Sequence, residues 1–247
     1  MIKFIALGFV QGLTEFFPIS SSGHLVILER LLGVTDNELA ITVLLHIGTI
    51  LALLVFFIKD IFRVLRDARF LLMAAIATVI TVIIALSAKD FFVAMFSSPR
   101  AVGVSLLITG CFLTLTKPFL KGETKEVGFL NAVIFGLAQA VAIIPGISRS
   151  GATISALLFR GVDRDTAFMF SFVASIPAVM GAVVLETKDI HAALRMHPAD
   201  AYAGVIASFI SGICALAALK ALIRKAKFYY FGYYCIVVGL LTFLFLK

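Results

Sequence analysis

Long apolar runs that charge hardly interrupts fill most of this chain: residues 39–58, 70–88, 99–116, 166–186, 201–219 and 228–246. About 20 such residues, wound as a helix, span the hydrocarbon core of a bilayer. Only structures that satisfy their own backbone hydrogen bonds are stable there. A barrel would need apolar residues alternating with period two, and these runs do not alternate. Apolar residues make up 62% and charged residues 14% of the 247, against about 45–50% and 25% in soluble domains. A soluble fold could not hide so much apolar surface. An ordinary cytosolic enzyme, a disordered chain and a secreted disulfide scaffold are thereby excluded. The expectation is an all-α, polytopic integral membrane protein forming a single membrane domain over residues 1–247, with about six transmembrane helices.

Two further apolar stretches, 2–30 and 128–158, carry Pro, Gly and clustered Ser at their centres. Irregular backbone at membrane depth is tolerated where it is buried in protein or lines a wet cavity. Each stretch therefore reads as a re-entrant, broken helix. At an ungapped offset of 128, Gly8, Gln11, Ile19, Ser20, Ser22 and Gly23 match Gly136, Gln139, Ile147, Ser148, Ser150 and Gly151, six identities in sixteen positions. This points to duplication, with repeat 1 over about 1–116 and repeat 2 over about 128–247.

Loop charge orients the chain. Loops 59–69, 117–127, 159–165 and 220–227 hold 13 of the 21 Lys and Arg residues, whereas the opposite side holds 7. By the positive-inside rule the four basic loops face the cytoplasm. That assignment closes only if both broken stretches return to the side they entered from, with three spans between them. The repeats then have inverted topology and their breaks meet near the midplane. His191 and His197 fall in an exterior loop. The +7 net charge lies in short loops, so it does not point to nucleic acid. Cys111, Cys214 and Cys235 all sit in apolar runs without CxxC spacing and read as small membrane-embedded side chains. Gln11 and Glu15 interrupt the N-terminal apolar run and no A-x-A site follows, so this segment reads as mature protein.

The breaks carry the chemistry. Gln11 and Glu15 share a helix face at i,i+4. Pro18 ends that helix, and Ser20, Ser21, Ser22 and Gly23 open the next, with His24 in its first turns. The second break, Pro145-Gly146-Ile147-Ser148-Arg149-Ser150-Gly151-Ala152-Thr153, again furnishes a helix start with hydroxyls, here with a guanidinium. Serine caps helices, and free amides at a helix start bind anions. Arginine at membrane depth is costly and usually functional, and its fork matches phosphate oxygens. A carboxylate, an imidazole, hydroxyls and an arginine at two helix starts suit binding and cleavage of a phosphate ester or anhydride. Gln11 and Glu15 could instead form a structural bridge with Arg149. His46 is intramembrane with no anionic neighbour in sequence, and packing or an interhelical hydrogen bond is its default role.

Gln11-x-x-x-Glu15 with Pro18-x-Ser20-Ser21-Ser22-Gly23-His24, joined to Pro145-Gly146-x-Ser148-Arg149-Ser150-x-x-Thr153, resembles the undecaprenyl-diphosphate phosphatase family of the bacitracin-resistance type. The resemblance implies a hydrolase of the bacterial inner membrane that converts C55 polyprenyl diphosphate to undecaprenyl phosphate, the lipid carrier of cell-wall synthesis. It implies a site open to the periplasmic face, help from Mg²⁺ or Ca²⁺ with Glu15 as metal ligand alongside substrate phosphates, and commonly a homodimer. Catalytic roles fall to Glu15, Ser21, His24 and Arg149, and substrate contacts to Gln11, Ser20, Ser22, Ser148, Ser150 and Thr153. The attacking group is Ser21, His24 or a water. In repeat register Ser20 and Ser22 face serines, which suggests capping or packing, whereas Ser21 faces Arg149. His24, three residues on, shares its helix face as a candidate base. The chain departs from the family in having Gln11 where Glu is common, and Cys235 after Tyr234 where Arg is common. A transporter or flippase of a phosphorylated lipid or anion is the alternative, since paired helix N-termini at the midplane are also transporter architecture. A carboxylate beside the substrate disfavours an anion carrier.

This topology predicts that single cysteines at Asp36 and Ala192 react with an impermeant thiol reagent from outside, and that those at Leu65 and Arg224 do not. Labelling of Leu65→Cys and Ala192→Cys from the same side would overturn it.

Overall fold

The computed structural model describes residues 1–32, 36–96, 98–185 and 198–246. They form helices, without any β-sheet among the described residues. His191 and His197, read from the sequence as part of an exterior loop, lie outside them.

The first broken stretch is α1 (Ile2–Phe16) and α2 (Ser21–Leu32). At about 1.5 Å per residue, the 15 residues of α1 cannot cross a bilayer. Next come α3 (Asp36–Phe56), α4 (Ile58–Val64), α5 (Ala68–Ser87), α6 (Lys89–Phe96) and α7 (Pro99–Leu115). The second broken stretch is α8 (Phe129–Val141) and α9 (Arg149–Phe159). It is followed by α10 (Arg164–Val173), α11 (Ile176–Leu185), α12 (Pro198–Arg224) and α13 (Tyr230–Phe245).

α5 and α12 are each long and apolar enough to cross a membrane unaided. Two runs read from sequence as clean spans are interrupted. The run at 39–58 bends by 69° between α3 and α4. The run at 166–186 breaks between α10 and α11, where Ser175 turns its hydroxyl to the Phe172 carbonyl at 2.8 Å. The reason is Pro177, which has no N–H and clashes with the carbonyl four residues back. Phe16, Phe57, Phe168 and Phe172 fill the space between these bends, with ring centroids 5.1–5.8 Å apart.

The re-entrant helices pack across the halves. α1 lies along α12, and α8 lies along α5. α7 pairs with α13. Lipid offers apolar side chains no less comfort than protein does, so close association rests on small residues that let backbones touch. A Cβ on Gly8 would stand 2.1 Å from the Gly204 carbonyl oxygen, and one on Gly12 2.0 Å from Ser211 Oγ. On the α7–α13 seam, a Cβ on Gly232 would stand 2.7 Å from the Gly110 oxygen.

The four basic loops lie together on one face. Arg69 pairs with Glu126 at 2.5 Å. The Thr124 amide donates to the Gly161 carbonyl and the Asp163 amide to the Thr124 carbonyl. Arg164 donates to the Arg224 carbonyl at 2.9 Å, and Arg224 bonds Asp165 at 2.7 Å. Away from these loops, the N-terminal ammonium bonds Asp200 at the start of α12 at 3.0 Å.

Gly8→Ala should therefore lower stability by about 1–3 kcal/mol through overpacking, seen as a reduced Tm in detergent. Gly181→Ala, where a Cβ meets nothing within 4 Å, should be neutral or gain up to about 1 kcal/mol in helix propensity. Equal Tm for the two variants would show that α1 and α12 do not meet as described.

Candidate active site at the meeting of two broken helices

α1 stops at Pro18 because its ring cannot continue the ladder, and the chain then turns through Ser20. Ser20 takes a left-handed backbone, φ 68°, which is uncommon for a residue with a Cβ. Its side chain explains how the turn persists. Ser20 Oγ accepts the Gly23 amide at 3.3 Å, at the start of α2, and the Gly146 amide of the other break at 3.1 Å. In the second break the left-handed residue is Gly146, φ 93°. Its carbonyl accepts the Thr109 hydroxyl at 2.9 Å, and Thr109 Oγ1 accepts the Ser148 amide at 3.2 Å. Ser148 caps α9 by accepting the Gly151 amide at 3.1 Å. The breaks touch: a Cβ on Gly23 would lie 3.1 Å from Gly146 Cα.

Glu15 stands at this junction. Its carboxylate forms an ion pair with Arg149 Nη2. The other oxygen accepts the Ser21 hydroxyl at 2.6 Å and the Gln11 amide nitrogen at 3.1 Å. His46 Nε2, from α3, lies 3.9 Å from the same oxygen. The Glu15 side chain is 10% exposed and that of Arg149 is 23% exposed. Each charge is thus desolvated, and removing either partner would strand the other. Two polar atoms here are buried and lack a hydrogen-bond partner: Gln11 Oε1 and His46 Nδ1.

His24 is placed differently from the sequence expectation. Its Nδ1–H donates to the Ser20 carbonyl at 2.8 Å, and its Nε2 meets the Tyr234 hydroxyl at 2.7 Å. Ser21 is hydrogen-bonded to Glu15, so the carboxylate, not the imidazole, is its partner. A shared helix face put His24 near Ser21, but the carbonyl of Ser20 and the phenol of α13 hold the ring elsewhere.

The remaining expected residues divide. Ser20 and Ser22 approach each other at 3.3 Å, as do Ser148 and Ser150. Ser20, Ser148 and Ser150 are buried and serve the turns. Thr153, expected among the phosphate contacts, is buried between α9 and α10. Its hydroxyl bonds the Arg149 carbonyl at 2.8 Å and Ser171 at 2.6 Å. Cys235, where the family often carries Arg, is buried and directs its thiol to the Pro18 carbonyl at 3.6 Å.

Two residues reach the site from elements that carry neither motif. His46 reaches Glu15 from a helix with no motif, and Tyr234 reaches His24 across 210 residues; neither contact has a local signal. Beside His24 and Tyr234 an apolar groove of about 550 Å³ opens, lined by Leu13, Phe17, Ile19 and Phe231.

The chain is similar to known proteins over nearly its whole length. Bacitracin resistance protein BacA is the family that matches, over residues 4–241. The undecaprenyl-diphosphatase of Alkaliphilus metalliredigens is 41% identical over 98% of this chain and 98% of its own length. That of Halothermothrix orenii is 42% identical over 98% and 96%, and that of Carboxydothermus hydrogenoformans 39% over 95% and 93%. The chain belongs to the bacitracin resistance protein BacA family.

Proposed function

We propose that this protein removes the terminal phosphate of undecaprenyl diphosphate, leaving undecaprenyl phosphate for reuse as a lipid carrier, and that it does so in the inner membrane with its site open to the periplasm. The observation that carries the reading is the 2.6 Å hydrogen bond from Ser21 to Glu15, in a carboxylate that also pairs with Arg149. A carboxylate aimed at a hydroxyl and a guanidinium beside both is apparatus for phosphoryl transfer. A carrier that only bound an anion would be hindered by that carboxylate. The basic loops on one face support a cytoplasmic assignment for that face, with α1 entering from the other. The two breaks, joined through Ser20 and Gly146, support the inverted repeat.

In this reading Arg149 turns its fork from Glu15 to the phosphate oxygens when the diphosphate enters, and the prenyl chain lies along the apolar groove. Glu15 takes the proton of Ser21 as Oγ attacks the terminal phosphorus. The bond from phosphorus to the bridging oxygen breaks, and the lipid monophosphate leaves with that oxygen, which takes the proton back from Glu15. Water then releases the phosphoserine, with Glu15 or His24 accepting its proton. Most of the acceleration comes from positioning and charge stabilisation.

The donor set bears on a divalent cation. Among the described residues no group of three or more His, Cys, Asp and Glu side chains converges. One carboxylate and the unpartnered Gln11 Oε1 nevertheless offer hard oxygens, the kind Mg²⁺ and Ca²⁺ take. The residues fit a cation that Glu15 and Gln11 hold jointly with substrate phosphates, and such an ion supplies charge neutralisation.

The test is phosphate release from C55 diphosphate by purified protein, with and without EDTA. Release that EDTA suppresses is expected; transbilayer movement of the lipid without release would favour the flippase reading. Ser21→Ala should lower kcat by at least about a hundredfold with Tm unchanged, as for loss of an activated nucleophile or its equivalent. Ser20→Ala should instead lower stability by about 1–3 kcal/mol, because it strands the buried Gly146 amide. Arg149→Lys should cost a few kcal/mol of transition-state stabilisation, about a hundredfold in rate, since an ammonium lacks the bidentate fork. Near-normal turnover in Ser21→Ala would leave water as the attacking group.

A further inference from the structure

His24 has an unusual amount of its geometry decided by neighbours. A carbonyl oxygen can only accept, so the 2.8 Å contact with Ser20 requires a proton on Nδ1. In the neutral ring the lone pair is then on Nε2, and the Tyr234 hydroxyl, at 2.7 Å, donates to it. The two rings also lie nearly parallel, 8° apart with centroids at 5.6 Å.

Tyr234 is itself held firmly against the first break. Its neighbour Cys235 is buried and hydrogen-bonded to the Pro18 carbonyl. One turn earlier, Phe231 meets Phe17 with ring centroids 5.1 Å apart. Gly232 lets the α13 backbone approach α7 at Gly110. The phenol is thus carried by a helix packed against the first break and α7. It borders both the polar junction, through His24, and the apolar groove, which it lines. Other ionisable groups nearby are Glu15 on α1, His46 on α3 and Arg149 on α9, which engage one another, and Lys227, which also lines the groove. Among the described residues, Tyr234 is the ionisable side chain that hydrogen-bonds His24.

We propose that Tyr234 is a positioning residue for His24, fixing the imidazole in its Nδ1–H tautomer with Nε2 directed at the phenol beside the prenyl groove. A hydroxyl is suited to this because it both donates and accepts. It donates to the neutral ring; when the ring takes a proton, the single lone pair of Nε2 receives it from the Tyr234 hydroxyl, whose oxygen takes up the proton of the attacking water, and the hydroxyl then accepts from Nε2–H. The ring therefore keeps its place through a proton transfer, which a one-way donor could not ensure. This role rests on the phosphatase reading for its catalytic consequence, but the Tyr234–His24 contact is measurable without it.

The experiment uses the full chain in detergent with ring-¹⁵N-labelled histidine, together with the phosphate-release assay. The His24 signals are identified by their loss in His24→Gln. The wild type should show an Nδ1–H tautomer with a hydrogen-bonded Nε2. Tyr234→Phe keeps the ring stack and the groove lining while removing only the hydroxyl. It should move the Nε2 resonance downfield, lower kcat about tenfold, and leave KM within about twofold and Tm unchanged. An Nε2–H tautomer in the wild type would overturn the proposal even if the variant failed to fold. An unmoved Nε2 resonance, an unchanged kcat, or a rise in KM alone would also overturn it, the last marking Tyr234 as groove lining only. A wild type with the expected tautomer but no phosphate release would refute the phosphatase reading and leave the contact standing.

Discussion

The ion pair between Glu15 and Arg149 is the contact on which the arrangement depends. A carboxylate and a guanidinium buried among apolar helices are each costly alone. They are tolerable only when the two broken helices bring them together. That requirement explains the surrounding detail. Ser20 accepts the Gly146 amide across the junction, Gly23 leaves room for Gly146, and Thr109 of α7 satisfies the second turn. These contacts satisfy backbone groups that would otherwise be orphaned at membrane depth.

The offset of 128 sorts structure from chemistry. Positions identical in the two breaks mostly build the turns: Ser20 and Ser148 accept amides at the helix starts, and each lies beside a second serine two residues on. Positions that differ carry the carboxylate, the guanidinium and the imidazole. Glu15 corresponds to Ile143, Ser21 to Arg149, and His24 to Ala152. Gln11 and Gln139 show the divergence within an identical pair. Gln11 bonds Glu15 at 3.1 Å, whereas Gln139, with no carboxylate available, bonds Thr81 of α5 at 3.0 Å. A single asymmetric centre thus arises where two similar turns meet.

The departures from the family pattern have a physical reading. Where a second arginine is common, Cys235 faces the Pro18 carbonyl and packs α13 on the first break. Arg149 is therefore the arginine at the junction, with His46 as a further nitrogen-bearing side chain near Glu15. Gln11 in place of Glu leaves one carboxylate at the junction and a buried amide oxygen with no partner.

Much of this was legible in one dimension because membranes impose simple rules. Apolar run length, loop charge and the Pro–Ser breaks determined a helical membrane protein with two interrupted helices and four basic loops on one face. The same rules, read more closely, would have placed the break that Pro177 makes between α10 and α11. Glu15, Ser21 and Arg149 were legible as a set because they are polar residues of the two breaks. What sequence could not decide was partnership. Ser21 and His24 share a helix face by spacing, yet Ser21 bonds Glu15 and His24 bonds Tyr234. His46 and Tyr234 join the site from α3 and α13, and Thr153 leaves it for Ser171 of α10. Periodicity reports which face of its own helix a residue occupies; only the packing of separate helices determines what that face meets.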